Sequence, residues 1–214
     1  MYFFTAASTG HLLYCGKDKF ENEDLIRYGL PEDVWFHVDS LSSAHVYLRM
    51  NRGEKLKELP EELIKECCHL VKANSIEGCK LAKVKVVYTR WQNLKKTPGM
   101  EPGQVGFKDE SRVHRIWVEK CNAIVNDLNR TKKEEFPDLA ALQEERAAEM
   151  RAEARKVARE RQLQEKEAKK KSLAAKKLRE YDGVFVEEKM EVLSLGAGAG
   201  KDSSSAVDYE DDFM

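Results

Sequence analysis

The sequence has no run of the roughly 20 apolar residues that a membrane-spanning helix requires. Its opening MYFF is apolar, but no basic residue precedes it, and Ser8, Thr9, Gly10 and His11 soon interrupt the run. Neither a spanning segment nor an export signal is expected. Phosphate-binding glycine loops are missing too. GQVG over 103–106 lacks the GxGxxG spacing and no GK[ST] occurs, which excludes the nucleotide folds built on those loops. The five cysteines, Cys15, Cys67, Cys68, Cys79 and Cys121, form no CxxC pair. Their odd number and the adjacency of Cys67 and Cys68 argue for a reduced cytosolic or nuclear compartment, not a disulfide framework. No glycine elbow surrounds Ser43 or Cys79, so the usual setting of a serine or thiol nucleophile is absent.

Net charge is also lacking, at −1 from 37 basic and 38 acidic residues in 214, but this is a cancellation. Residues 1–136 carry 22 basic and 20 acidic side chains, and 137–149 carry one and four. Residues 150–179 carry twelve basic and four acidic, and 180–214 carry two basic and ten acidic. A basic segment followed by an acidic tail suggests a polyanionic partner. It also gives the tail the means to screen the basic segment when nucleic acid is absent.

What is present before residue 137 can build one core. MYFFTAAS and HLLYCG flank Thr9-Gly10 and read as a hairpin. DKFENEDLIRYG reads as a helix with Asp18 as N-cap and Gly29 as its stop. DVWFHV and AHVYLRM alternate with strand period about a DSLSS turn. Pro60 opens a helix through EELIKECCHLVKANS that Gly78 is expected to end. KVKVVYTRW is a strand with Lys83 and Lys85 on one face, and RVHRIWVEK is a second, with Val113, Ile116 and Val118 as its apolar members. From about Cys121 to Tyr181 the pattern is helical, with a break near Pro137 and Asp138 placed to cap the second part. That part, about 43 residues and roughly 64 Å long, has no sustained heptad and reads as a single exposed helix held by pairs such as Glu165–Lys169. Residues 182–214 bury too little to fold and are expected to be disordered.

The two histidines of WFHVDSLSSAHV carry the functional question. His37 shares a strand face with Trp35, and the DSLSS turn returns His45 beside it. Zinc needs further ligands at a recognised spacing, and none is evident, so no metal or cofactor is expected. The alternatives are imidazoles that hydrogen-bond to the turn, or a His–Trp surface that touches a nucleotide. Basic residues add to the second: Arg49 follows the second histidine, and Lys83, Lys85, Arg90, Lys95 and Lys96 interleave with Tyr88 and Trp91. Basic side chains among aromatics on a sheet suit RNA. A solvated strand face explains the same composition.

GKDKFENEDLI, PEDVWFHVDSLSSAHVYLR, HLVKANS, KVKVVYTRWQNLKK and GQVGF resemble the NFACT-R domain, over roughly residues 1–120. The chain departs from the family pattern at Ser42, where a glycine is usual. Asp33, Trp35, His37, Ser43 and His45 match the family motif, and Lys17 and Asn22 match the segment before it. The resemblance implies an RNA-binding role on ribosomes or tRNA, without the tail-synthesis activity of larger relatives.

The expected architecture is α+β: a small antiparallel sheet with packed helices over 1–120, a helical or coiled-coil basic arm over 121–181, and a disordered acidic tail over 182–214. The expected function is non-catalytic nucleic-acid binding, with RNA or the ribosome as partner and DNA next. Two alternatives are a protein–protein adaptor acting through residues 138–181 and a membrane-associated DNA receptor. The cytoplasm is the expected location.

Overall fold

The alternating segments pair as antiparallel strands. The protein is described by a computed structural model covering residues 1–196. In chain order its elements begin with β1 (Tyr2–Thr5), β2 (Leu12–Cys15), α1 (Lys19–Tyr28), β3 (Asp33–Val38), β4 (Val46–Arg49) and α2 (Glu61–Ala73). They continue with β5 (Lys83–Arg90), β6 (Leu94–Lys95), β7 (Gly106–Phe107), β8 (His114–Glu119), α3 (Asn122–Arg130), β9 (Lys133–Glu134) and α4 (Leu139–Gly196). The main sheet has the order β8-β5-β3-β4-β2-β1-β9, and β6 and β7 form a separate ribbon.

Both faces of this sheet are covered. Val34, Phe36 and Val38 of β3 join Val46, Leu48, Val84 and Val86 under Leu63, Cys67, Leu70 and Val71 of α2. On the other face Tyr14, Trp35, Tyr47 and Val87 pack with Leu25 of α1 and Leu94 of the ribbon. Each large side chain removed from water in this way stabilises by about 1.5–3 kcal/mol. The fold is therefore α+β, an antiparallel sheet with packed helices.

Local chemistry sets most element ends. Asp18 accepts from the Phe20 and Glu21 amides at 2.8 and 2.9 Å and caps α1. At its other end the Trp91 indole donates to the Ile26 carbonyl at 2.8 Å. A Cβ on Gly29 would stand 2.3 Å from that indole, so only glycine fits there. Helix α2 stops at Ala73, short of the expected Gly78. The Asn74 side chain turns back to the Leu70 carbonyl at 2.8 Å, and Lys72 Nζ donates to the Gly78 carbonyl at 2.9 Å. These local side-chain bonds close the helix about one turn before the glycine.

The folded unit runs past residue 120 to Met150. Leu128 of α3 is fully buried against the α2 side of the core. The Thr131 hydroxyl accepts from the Thr5 amide at 3.0 Å, and β9 then pairs with β1. The stretch expected to be helical up to Pro137 is thus helix only to Arg130. KKEEF has no apolar period to extend the helix, and the open edge of β1 offers its backbone partners instead.

After Pro137, Asp138 accepts from the Ala141 amide at 3.0 Å and starts α4. Leu139 packs on the second core cluster, Gln143 donates to the Gly29 carbonyl at 3.1 Å, and Arg146 donates to Glu32 at 2.8 Å. From Arg151 to Lys177 every side chain is exposed. The helix continues to Gly196, beyond the end expected near 181, because Glu, Lys, Met and Leu there favour helix and Gly183 alone costs only about 1 kcal/mol. The rest of the expected acidic tail, 197–214, lies outside the described residues.

This boundary has a direct test. A chain ending at residue 120 loses Leu128 and β9 and should be at least about 3 kcal/mol less stable in urea denaturation than one ending at residue 150. The longer truncation should match the midpoint of the full-length protein. Equal midpoints for both truncations would place the boundary at 120 after all.

Candidate nucleic-acid interface

The period of β3 sets Asp33, Trp35 and His37 on one face. The register opposes Asp33 to Arg49 and Trp35 to Tyr47. The Trp35 indole donates to His45 Nδ1 at 2.9 Å. An indole N–H can only donate, so this nitrogen of His45 must carry a lone pair. Burial first, then the neighbouring His37 and in spite of a backbone hydrogen bond to Gly103, pushes the His45 pKa down to about 3. His37 lies flat on Trp35, with ring centroids 5.4 Å apart, and its Nδ1 donates to the Val38 carbonyl at 2.7 Å. Burial lowers its pKa as well. Both rings are neutral near pH 7. Ser43 Oγ accepts from the Val38 amide at 3.1 Å and closes the turn. The positive φ of the turn, 62°, falls on Ser40, so Ser42 needs no glycine.

Several other candidate residues are engaged inside the fold. Asp33 is fully buried and accepts from Arg49 Nε at 2.8 Å, from a second Arg49 nitrogen at 3.0 Å, and from the Leu30 amide at 2.6 Å. Arg49 also donates to the Tyr14 hydroxyl at 3.0 Å. Asn22 is buried beneath Gly16, where a Cβ would come within 2.3 Å of its Oδ1. Lys96 Nζ donates to Glu23 at 2.8 Å and to the Glu101 and Gln104 carbonyls at 2.8 and 3.1 Å, which pins the Pro- and Gly-rich loop. Lys17 is exposed at the β9 edge of the sheet, 3.4 Å from Glu134. Lys95 is exposed on β6, and Arg90 stands at the end of β5.

Lys83 and Lys85 do share an open face, and the edge strand β8 completes it. Lys83 opposes Glu119, Lys85 opposes Trp117 and Val87 opposes Arg115, while His37 opposes Val87 from the other side. Trp117 is 60% exposed, and Lys85 Nζ lies 5.9 Å from the ring centroid. The cations are paired: Lys83 with Glu119 at 3.5 Å, Lys85 with Asp39 at 3.7 Å, and Arg115 with Glu110. Pairs this exposed are worth little, so a phosphate can exchange with them. Arg115 and Trp117 are absent from the sequence-derived set. Their signal was legible, because strand period in RVHRIWVEK puts them together on the face opposite Ile116 and Val118. Among the described residues no group of three or more His, Cys, Asp or Glu side chains is placed to hold a metal ion.

Comparison with known proteins gives a consistent group. The NFACT protein RNA binding domain matches residues 1–109. Coiled-coil domain-containing protein 25 of Bos taurus is 50% identical over 194 residues, covering 89% of this chain and 93% of the relative. The Mus musculus protein of that name is 56% identical over 157 residues, 72% of this chain and 76% of the relative. Protein JLP2 of Saccharomyces cerevisiae is 39% identical over 141 residues, 64% of this chain and 68% of the relative. Among solved structures, the C-terminal part of the fibronectin/fibrinogen-binding protein from Streptococcus suis superposes with a TM-score of 0.51 at 18% identity. The match covers 59% of this chain and 48% of that one, and speaks to the fold alone.

The neutral His45 makes the fold sensitive to acid. Its folded pKa of about 3 lies below the ordinary 6.5. Above pH 6.5 neither state binds the proton and stability is intact. As the pH falls from 6.5 towards 3 the unfolded chain takes up a proton that the folded one refuses. Stability is then lost at about 1.4 kcal/mol per pH unit. His45→Gln keeps an acceptor for Trp35 and cannot titrate. Urea midpoints measured from pH 7 to 4.5 should fall less steeply for His45→Gln than for the parent; parallel curves would exclude His45 as the source. Asp33→Ala leaves Arg49 and the Leu30 amide without their partner and should cost about 3 kcal/mol or more at pH 7 in the same measurement.

Proposed function

Since the chain belongs to the family of the NFACT protein RNA binding domain, we propose that it binds RNA through the open β5–β8 face and catalyses no reaction. The observation that carries this reading is Trp117, an indole left 60% exposed on an edge strand beside Lys85. An aromatic side chain in that setting contributes about 1–3 kcal/mol when a base stacks on it. His37, Arg115 and Lys83 flank it on the same face.

The basic segment adds attraction that depends on charge alone. Residues 150–179 carry twelve basic and four acidic side chains, and those described through Lys177 are exposed beyond Met150. Such a segment raises encounter rates with any polyanion and gives steep salt dependence. Ribosomal RNA or tRNA in the cytoplasm is the partner we adopt. DNA offers the same phosphates without the 2′-hydroxyl, so it serves as the competitor. No described helix is long and apolar enough to cross a membrane.

One observation favours a second reading. An exposed helix from Arg151 onward offers a surface to a protein partner, as an adaptor requires. Capture of partners that survives nuclease treatment and vanishes on removal of residues 151–214 supports the adaptor in place of RNA.

Fluorescence anisotropy with a labelled structured RNA, at 50 and 200 mM salt, tests the first reading. Binding should weaken steeply with salt. Trp117→Ala should lower affinity by about 5-fold or more with an unchanged salt slope, because stacking releases no counterions. Lys83→Gln with Lys85→Gln should lower both affinity and slope. Absence of binding at 50 mM salt, together with no co-sedimentation with ribosomes, sinks the proposal.

A further inference from the structure

On the open face an aromatic platform stands among cations that are already paired. Arg90 and His114 alternate out of phase with Lys85 and Arg115 and so point to the other face of the sheet. There a cleft of about 950 Å³ opens, lined among others by Lys55, Lys57, Glu58, Arg90, Arg112 and His114.

The cleft has a fixed floor. Asn93 is buried and uses its whole amide: Nδ2 donates to Thr89 Oγ1 at 3.0 Å and to the Asp109 carbonyl at 2.8 Å, while Oδ1 accepts from the Asp109 amide at 3.0 Å. The Thr89 hydroxyl donates to the Arg112 carbonyl at 3.0 Å. This holds the short 3-10 turn Glu110–Arg112 against the end of β5. Arg112 therefore rises from a backbone that is fixed against the end of β5.

The rim has positive charge to spare. Lys55 pairs with Glu58 at 3.1 Å and Arg112 with Asp109 at 3.6 Å. Arg90 donates only to the Glu54 carbonyl, a neutral partner, at 3.4 Å. Lys57 has no partner among the described residues. The wall is aromatic. Phe36 stacks on Tyr88 with centroids 5.2 Å apart, and Tyr88 stacks on His114 at 5.0 Å. The three rings run outward from the core, and the last one lines the cleft.

We propose that this cleft holds one nucleotide of a single RNA strand, with its base on His114 and its phosphate among Arg90, Arg112 and Lys57. The proposal rests on the RNA-binding reading and gives it a second foothold with the complementary chemistry. Stacking dominates at Trp117, and charge dominates here. Trp117 and His114 stand three residues apart on the edge strand β8 and on opposite faces of the sheet, so a single strand that reaches both passes round this open edge.

The test uses the full chain, a fluorescein-labelled single-stranded RNA 12-mer, and anisotropy titrations from 50 to 200 mM KCl. Lys57 and Arg112 are exposed, so Lys57→Gln with Arg112→Gln should leave the melting temperature unchanged. Affinity at 50 mM should drop about 10-fold, and the slope of log K against log salt should shrink by about 1.4, the share of two phosphate contacts on a single strand. His114→Ala should weaken binding about 5-fold, and His114→Phe, which keeps a ring on Tyr88, should restore it. If the parent binds through Trp117 while the glutamine pair and His114→Ala bind as tightly with the same slope, the cleft is not a site and the inference alone falls. If the parent does not bind the RNA, the RNA-binding reading fails and takes the cleft with it.

Discussion

The hydrogen bond from the Trp35 indole to His45 Nδ1 is the constraint on which one face of the protein depends. A buried indole N–H without an acceptor costs about 1–3 kcal/mol, and His45 supplies the acceptor at 2.9 Å. In doing so it gives up the ability to be charged. The same indole carries His37 flat on one side and Phe107 of the β6–β7 ribbon at its edge. The loop before β7 is tied down by Lys96, which also reaches Glu23 on α1. One donor thus fixes a tautomer, orients two histidines and seats the ribbon that closes the second layer. The D-x-W-F-H and S-x-H-V spacings are the sequence form of that requirement.

The same constraint limits where ligands can act. Most residues that carry the family resemblance are consumed by the fold, while Lys17 stays exposed at the sheet edge. Asp33 and Arg49 neutralise each other, and Trp35 and His45 satisfy each other. Of this set His37 keeps partial exposure, and it does so at the border of the β5–β8 face. On the RNA-binding reading proposed above, recognition falls to the edge strand β8 and its surroundings. An exposed tryptophan on an edge strand exposes apolar area that burial elsewhere in the sheet avoids, and a ligand with a π face removes that cost. The charges around it balance, so on that reading this surface favours stacking over charge. The basic segment beyond Met150 attracts polyanions without selecting among them.

Local signals were legible from the chain alone. The Asp18 cap, the Gly29 stop, the two hairpins and the alternation of β3, β4, β5 and β8 all rest on neighbours a few residues apart. Features set by distant partners were not. Lys72 ends α2 early because carbonyls at Gly78 and Leu81 claim its ammonium. The two-residue β9 exists only because β1, more than 125 residues earlier, leaves an edge open. Likewise the pairing of β3 with β5, across α2, decides that His37 and Arg115 share a face. Asp33, Trp35 and His37 fall on β3 as read, whereas His45 stands just before β4, which begins at Val46; their side chains read equally well as ligands or as packing, because sequence spacing does not report which donor an imidazole meets. Trp117 escapes a reading that weighs only the apolar members of its strand.

The exposed helix raises a physical question of its own, because solvated helices of ordinary composition are marginal. Starting a helix carries a factor of about 10⁻³, close to 4 kcal/mol. Here the start is made on the folded unit. Asp138 caps the first turn, Leu139 packs on the second core cluster, and Arg146 and Glu32 hold each other with only 13% and 15% of their side chains exposed. Those contacts nucleate the helix before its exposed stretch begins. Each later residue then needs only propagation, for which Ala, Glu, Lys, Arg, Gln and Leu, the main residues of 151–179, are the most favourable set. Pairs such as Arg161–Glu165 at 3.1 Å add about 0.2–0.5 kcal/mol each. A long basic helix without a heptad seam is therefore sustained by its first three turns, and the segment proposed to attract polyanions starts from the same domain that exposes Trp117.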